Sequence, residues 1–319
     1  MIAPQAVPIK FVPIFDAATV QADPKYESLN RLAGIIGPHE HLMIKQQFEF
    51  LEACFGCEQK NSYHIESPDG KVILIAKENS SCCTRVFCNP NHSLMVEVSL
   101  PDSPDDVLFT LERPGVECCG GAKPCLCCPA CCAMCQEEAI MHGGKVEGTP
   151  GNISAPNPLV MMRQASAAES PFNPKINVNP MDADGKESKT GMSLTGPQFF
   201  GGCSELCCKS TFPVRYADNN IAGEVVKLPP RNFCGCLAEM ATDMDTYKVD
   251  FNPGLSAEDK AAILSSAILA DYMFFEGDEG MCRRKPNGET VCTLCQCYCL
   301  GCILPCNLKA PKKGGPLEP

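Results

Sequence analysis

Residues 261–275 read AAILSSAILADYMFF, and the way this stretch is buried decides the fold. It holds no charge before Asp271, and small residues alternate with large ones all the way round a helical wheel. A helix apolar on every face must be buried, either in a protein core or in a lipid bilayer. Ser256 precedes it as a cap, and Asp259 is placed to reach back as the acid of a capping box. Its fifteen residues fall short of the roughly 20 that span hydrocarbon.

Upstream the chain reads as short strands. SYHIESPDGKVILIA at 62–76 is a hairpin: two alternating runs flank Pro68, Asp69 and Gly70, a turn that tolerates positive φ. SLMVEV at 93–98 and VLFTL at 107–111 are further strands, and LMIKQQFEFLEACF at 42–55 reads as a strand running into a helix. A second hairpin, with its turn at Asp218, Asn219 and Asn220, echoes the first about 150 residues later and suggests a duplicated half-barrel. KINVNP at 175–180 followed by DADG at 182–185 is another hairpin, whereas residues 149–170 read as an inserted loop. Short strands at this spacing mean an all-β sandwich or barrel. The domain reading is a proline-punctuated, extended N-terminal arm over 1–40, a β domain over 41–277 and a Cys-rich C-terminal tail over 278–319.

Composition narrows the partners. The net charge is −11 and the pI near 5.0, with no Trp and 7% aromatic residues, so no nucleic-acid partner is expected. An acidic protein is repelled by anionic lipid unless Ca²⁺ or acyl chains intervene. The 25 cysteines are the anomaly. The N-terminus lacks the pattern of a secretory signal peptide, which predicts an intracellular chain with reduced thiols and no disulfide framework. Metal binding, acylation and plain burial then remain open for the cysteines.

Several segments, in order, resemble the phospholipid scramblase family. They are QQFEFLE at 46–52, CCTR at 82–85, LERP at 111–114, the cysteine run of 118–135, TDMD at 242–245 and ADYMFFE at 270–276. The resemblance implies a fold similar to tubby-like proteins: mainly β, a closed antiparallel barrel of about twelve strands around one central hydrophobic helix. An apolar helix of this kind would fill such a barrel, with Ile263, Leu264, Ile268, Leu269, Phe274 and Phe275 as its packing residues. Asp271 would lie near the barrel mouth. In lipid it would cost about 2.5–3.5 kcal/mol at the centre of a span. With Asp271 inside it and too few residues to span, the stretch reads as the core of a barrel.

The family's Ca²⁺ motif maps onto Asp243, Asp245, Tyr247, Val249 and Phe251, implying weak binding; its closing acid falls at Gly254, which has no side chain to offer. In a strand Asp243 and Asp245 would share a face. The bland alternative is an acidic turn before a strand. The first cysteine cluster includes Cys125, Cys127, Cys128, Cys131, Cys132 and Cys135; its C-x-x-C spacings suit zinc or an iron–sulfur cluster, while the resemblance implies palmitoylation. The second comprises Cys292, Cys295, Cys297, Cys299, Cys302 and Cys306. Interleaved with Leu, Ile and Tyr, it suits an acylated membrane-facing patch or a metal site equally.

No nucleophile–base pair, phosphate-binding glycine loop or dinucleotide fingerprint is present, so covalent catalysis has no sequence support. The resemblance implies Ca²⁺-dependent, bidirectional transbilayer movement of phospholipid, or lipid binding at the cytoplasmic face of a membrane. Two alternatives stand beside it. One is a non-catalytic structural or interaction subunit, docking protein partners through the N-terminal arm and C-terminal tail. The other is a metal- or redox-responsive thiol protein.

Overall fold

The computed structural model describes residues 13–15, 20–21, 23–47, 60–80, 93–114, 136–182, 184–188, 191–230, 245–275, 282–285 and 288–310. Within them twelve antiparallel strands close into a barrel. In chain order these are β1 His41–Gln47, β2 Ser62–Glu66, β3 Val72–Asn79, β4 Leu94–Leu100, β5 Ser103–Arg113 and β6 Glu138–Gly143. They continue as β7 Pro158–Gln164, β8 Lys175–Pro180, β9 Met192–Thr195, β10 Ser210–Tyr216, β11 Ile221–Lys227 and β12 Thr246–Phe251. Each strand pairs with its neighbours in sequence, and β12 closes on β1 through registers such as Leu42 with Val249. Closure removes every free edge from this sheet. The Asp69–Gly70 turn forms as read, with Gly70 at φ +83°, a conformation that costs a Cβ-bearing residue dearly.

Strand alternation sends one set of side chains inward. Leu42, Ile65, Leu74, Ile176, Val214 and Val249 are all fully buried on that inner face. The space they enclose is filled by helix α2, Ala257–Phe274, once α1, Glu27–Ile36, is counted first in the chain. Side chains of α2 meet strands from around the wall. Asp259 bonds Tyr216 on β10, Ser265 lies against Met141 on β6, Asp271 bonds Tyr63 on β2, and Tyr272 bonds Glu78 on β3. Ile263, Leu264, Ile268, Leu269, Phe274 and Phe275 are all buried. Burying such a side chain contributes about 2 kcal/mol, so the helix and the wall stabilise one another. The expectation of a helix inside a closed barrel holds. Among the described residues no helix is long and apolar enough to cross a membrane.

Ser256 caps α2 by accepting from the Asp259 N–H at 3.1 Å. Asp259 does not complete the box: its carboxylate turns to the Tyr216 hydroxyl at 2.6 Å and the Ile14 N–H at 3.2 Å. A buried carboxyl takes the donors that the barrel wall offers.

Four sequence expectations need correction. The N-terminal arm is not simply extended: α1 buries Leu29, Leu32 and Ile36 on one stripe, and Lys260 of α2 holds its C-terminal end through the carbonyls of Gly37 and His39, each at 2.7 Å. Residues 149–170 are not an inserted loop, because β7 lies within them and pairs with β6 and β8. The flanking Pro and Asn residues masked its alternating Val160, Met162 and Gln164. The Cys-rich C-terminal segment is more than a tail. It folds into β13 Cys282–Arg284, β14 Thr290–Cys299 and β15 Cys302–Ala310, joined by a short strand Phe199–Phe200. Finally, Cys282 and Cys292 are joined in a disulfide, because β13 and β14 set them opposite each other with Cα atoms 4.1 Å apart.

This small sheet caps the barrel at the end where α2 stops. Tyr298 on β14 is fully buried and packs edge-on against Phe274 at 6.4 Å, while Phe200 meets Phe275 at 5.5 Å.

Candidate functional site

Under that cap lies a buried polar cluster. Lys227, the last residue of β11, places its ammonium 2.6 Å from Glu205 and 2.7 Å from Asp245. Its Nζ also stands 3.9 Å from the centroid of the Phe275 ring. Burial works against the Lys227 charge, but Asp245 and Glu205 outweigh it and hold its pKa above the ordinary lysine range. A buried cation with two carboxylates is a structural pin: removing one partner strands the rest.

Asp271 closes the cluster from the helix. Tyr63 donates to its Oδ2 at 2.7 Å, and the Tyr247 hydroxyl meets its Oδ1. The same Tyr247 hydroxyl lies 3.2 Å from Asp245 Oδ2, yet it has one hydrogen for two carboxylates. A proton on Asp271 resolves the conflict, because its O–H can donate to Tyr247 and free the phenol hydrogen for Asp245. Burial first, and then the Asp245 charge, push the Asp271 carboxyl up to about 8. Burial and the same carboxylates raise Tyr247 as well, keeping it a neutral donor.

The predicted Ca²⁺ set is thereby located. Asp243 lies outside the described residues. Asp245 faces Lys227 and Tyr247, while Val249 and Phe251 pack among the barrel's apolar side chains. Alternation does place residues two apart on one face here, and on β12 that face is the barrel interior. The structure brings Asp245 and Tyr247 together. It leaves Val249 and Phe251 without oxygen-bearing side chains for a cation.

The cysteines divide in the same way. Cys125, Cys127, Cys128, Cys131, Cys132 and Cys135 lie outside the described residues. Cys292 is bonded to Cys282, and Cys295, Cys297, Cys299, Cys302 and Cys306 all lie on the β14–β15 hairpin. Among the described residues no group of three His, Cys, Asp or Glu side chains is arranged to hold a metal ion.

Sequence reasoning missed a polar groove on the outer wall of β7, β8 and β9. It has a volume of about 470 Å³, and Arg163, Lys175, Asn177, Asn179 and Ser193 help to line it. Arg163, Asn177 and Ser193 are register partners across three strands, so their side chains share one face. Both cations are tethered, Arg163 to Glu138 and Glu187, and Lys175 to Glu169 at 2.6 Å. The signal was present in the alternate residues of KINVNP, whose outward members are Lys175, Asn177 and Asn179. Seeing it required knowing that Arg163 belongs to a strand.

The comparisons with known proteins converge. The family profile described as Scramblase matches residues 21–153 and 180–277. Phospholipid scramblase 2 of Bos taurus is 27% identical over 242 residues, 76% of this chain and 70% of that protein. Phospholipid scramblase 1 of Homo sapiens is 26% identical over 238 residues, 74% of this chain and 63% of that protein, so less than two thirds of its length is spanned. Altered inheritance rate of mitochondria protein 25 of Saccharomyces cerevisiae is 24% identical over 276 residues, 77% of this chain and 76% of that protein. No solved structure matches.

Proposed function

The chain belongs to the scramblase family, and from that premise we propose that it is a scramblase-like protein that engages a phospholipid membrane from its surface and moves phospholipid between leaflets. The observation that carries this reading is the family match, which runs through both halves of the barrel and ends just beyond α2. The reading is non-enzymatic in the sense that no covalent bond of the lipid is made or broken.

The geometry supports a peripheral mode. With α2 enclosed by the barrel, the helix is not the element that meets hydrocarbon. Contact falls instead to the outer surface. Phe199, Leu304 and Leu308 are 57%, 52% and 59% exposed, and they share the outward side of the cap with its cysteines. Such residues suit the interface between headgroups and acyl chains, and thioester-linked palmitate on the first cysteine cluster would strengthen attachment by roughly 0.8 kcal/mol per buried CH₂. Ca²⁺ dependence belongs to this proposal too: a cation bridging acidic residues to anionic lipid would offset the repulsion expected at a charge of −11.

The test is reconstitution of the full chain into phosphatidylcholine–phosphatidylserine vesicles with a fluorescent lipid and dithionite quenching, with and without Ca²⁺. Accelerated loss of the protected inner-leaflet signal is expected in the presence of millimolar Ca²⁺. A rate equal to that of protein-free vesicles under both conditions would sink the transport reading. Sedimentation with the same vesicles would then show whether lipid binding remains.

A further inference from the structure

The outer side of the cap carries an unusual arrangement of sulfur. In the β14–β15 register Cys295 faces Cys306, Cys297 faces Leu304, and Cys299 faces Cys302. Cross-strand partners project to the same side of a sheet, and alternate residues keep to that side. The buried Gln296 and Tyr298 point the other way, toward the barrel. A third pair, Cys282 and Cys292, stands in register between β13 and β14 and is already a disulfide. Three cross-strand cysteine pairs thus lie within one small sheet.

Antiparallel partners have Cα atoms about 4.5 or 5.5 Å apart according to pair type. Both values fall inside the range of about 4.4–6.8 Å that disulfides usually span, and the Cys282–Cys292 pair is closer still at 4.1 Å. Neighbouring pairs along the strands are too far apart to converge on one tetrahedral ion, since two residues of strand advance about 6.6 Å. The sheet therefore favours sulfur meeting sulfur in twos. At the tip, Cys299 and Cys302 flank Leu300 and Gly301, whose φ values of +50° and +85° make the tight two-residue turn that holds the last pair together. Cys295 and Cys306 stand directly opposite in register, and burial first, then the neighbouring Cys306 thiol, raise the pKa of Cys295.

We propose that the cap is a thiol–disulfide redox site in which Cys295 and Cys306 form a reversible cross-strand disulfide, with Cys299 and Cys302 as a second pair. The oxidant is a low-molecular-weight disulfide such as oxidised glutathione. One protein thiolate attacks a sulfur of that disulfide and expels one glutathione thiolate, leaving a mixed disulfide. The partner thiol gives up its proton and attacks the protein sulfur, expelling the second glutathione. Two protein thiols are oxidised and one small disulfide becomes two thiols, so the exchange balances. The consequence follows from what β14 touches on its inner face. Tyr298 packs on Phe274, the final residue of α2, and its hydroxyl accepts from Gln164 Nε2 of β7 at 3.3 Å. Fastening β14 to β15 therefore fastens the lid over the barrel end that holds the Lys227–Asp271 cluster. The site lies beyond residue 277, where the family match stops, and does not depend on the lipid reading.

The experiment uses the reduced full chain in lipid-free buffer, equilibrated with mixtures of reduced and oxidised glutathione. The sample is quenched with N-ethylmaleimide and cut with chymotrypsin, which cleaves after Tyr298 and Leu300 and so separates the paired cysteines. A Cys295–Cys306 linked peptide within monomeric protein is the expected product. Hydrogen exchange of the β14 and β15 amides should slow by about tenfold or more on oxidation. In Cys306→Ser that slowing is lost, and Cys295 ends as a glutathione adduct or an alkylated thiol. Two results would overturn the proposal: both Cys295 and Cys306 alkylated under conditions that oxidise Cys282 and Cys292, or Cys295 linked to a cysteine other than Cys306. Because the readout is a bond between named residues, a failure here leaves the vesicle assay unaffected.

Discussion

Asp271→Asn is the substitution that most directly probes the cluster at the barrel mouth. The folded protein holds the Asp271 proton until about pH 8, whereas the unfolded chain releases it near the ordinary aspartate value of 3.8. A group with a raised folded pKa contributes stability that is complete below its unfolded pKa and is lost as pH rises through the folded one. Between pH 4 and pH 8 the native state therefore binds more protons than the unfolded state, and stability falls with rising pH. Each decade of pH is worth about 1.4 kcal/mol for a single such group, so from pH 6 to pH 8 the loss is bounded at about 3 kcal/mol. Asp259, pushed up to about 6 by burial, contributes in the same direction, but mostly below this window. Asparagine has nearly the same shape, carries no titrating proton, and keeps one donor and one acceptor for Tyr63 and Tyr247. Urea denaturation of both proteins in reductant at pH 6 and pH 8 reads the difference. The wild type should lose about 2–3 kcal/mol relative to the variant across that interval. Parallel pH profiles for the two proteins would refute a protonated Asp271, and a wild type that gains stability on alkalinisation would refute the sign.

Other expectations follow from the same packing. Leu264→Asp puts a carboxyl at a fully buried point of α2, and lost packing plus burial of a polar group amount to at least about 5 kcal/mol. The protein should lose its β circular dichroism and become protease-sensitive; a folded variant merely released from membranes would contradict a helix held within the barrel. Lys227→Met strands Glu205 and Asp245 and should cost about 3–5 kcal/mol in denaturant titrations, with part recovered at low pH where the carboxylates protonate. Ser256→Ala removes the acceptor for the Asp259 N–H and should cost about 1 kcal/mol, a small shift that a thermal melt can resolve.

Some of this architecture is local chemistry and was legible in the chain. The strand runs at 62–66 and 72–79 carry their own alternation, those at 94–100 and 103–113 hold short β-branched and apolar runs, and turn residues such as Gly70 mark where strands reverse. The strand β7 was not legible, because seven residues between prolines and asparagines do not outvote a loop-rich neighbourhood until β6 and β8 pair with them. The α1 stripe of Leu29, Leu32 and Ile36 is hidden for a similar reason: the prolines before it speak for an extended arm, and its partner lies more than two hundred residues away.

The candidate sites show the same division more sharply. Asp245 and Tyr247 were singled out as neighbours in sequence, but the set they belong to is completed by Glu205, Lys227, Tyr63 and Asp271 from four other elements. The cysteine pairs of the cap were visible only as a cluster, since register decides which sulfur meets which. By itself the sequence of 261–275 determined that this segment is a helix and that it is buried on all sides. A wheel with no polar face has no other stable exposure to water. Whether the burying medium was lipid or protein, and which way Asp271 would find its proton donors, was decided only by tertiary structure. Hydropathy records aversion to water, whereas a closed barrel wall supplies tyrosine hydroxyls at fixed positions that a hydrocarbon layer cannot.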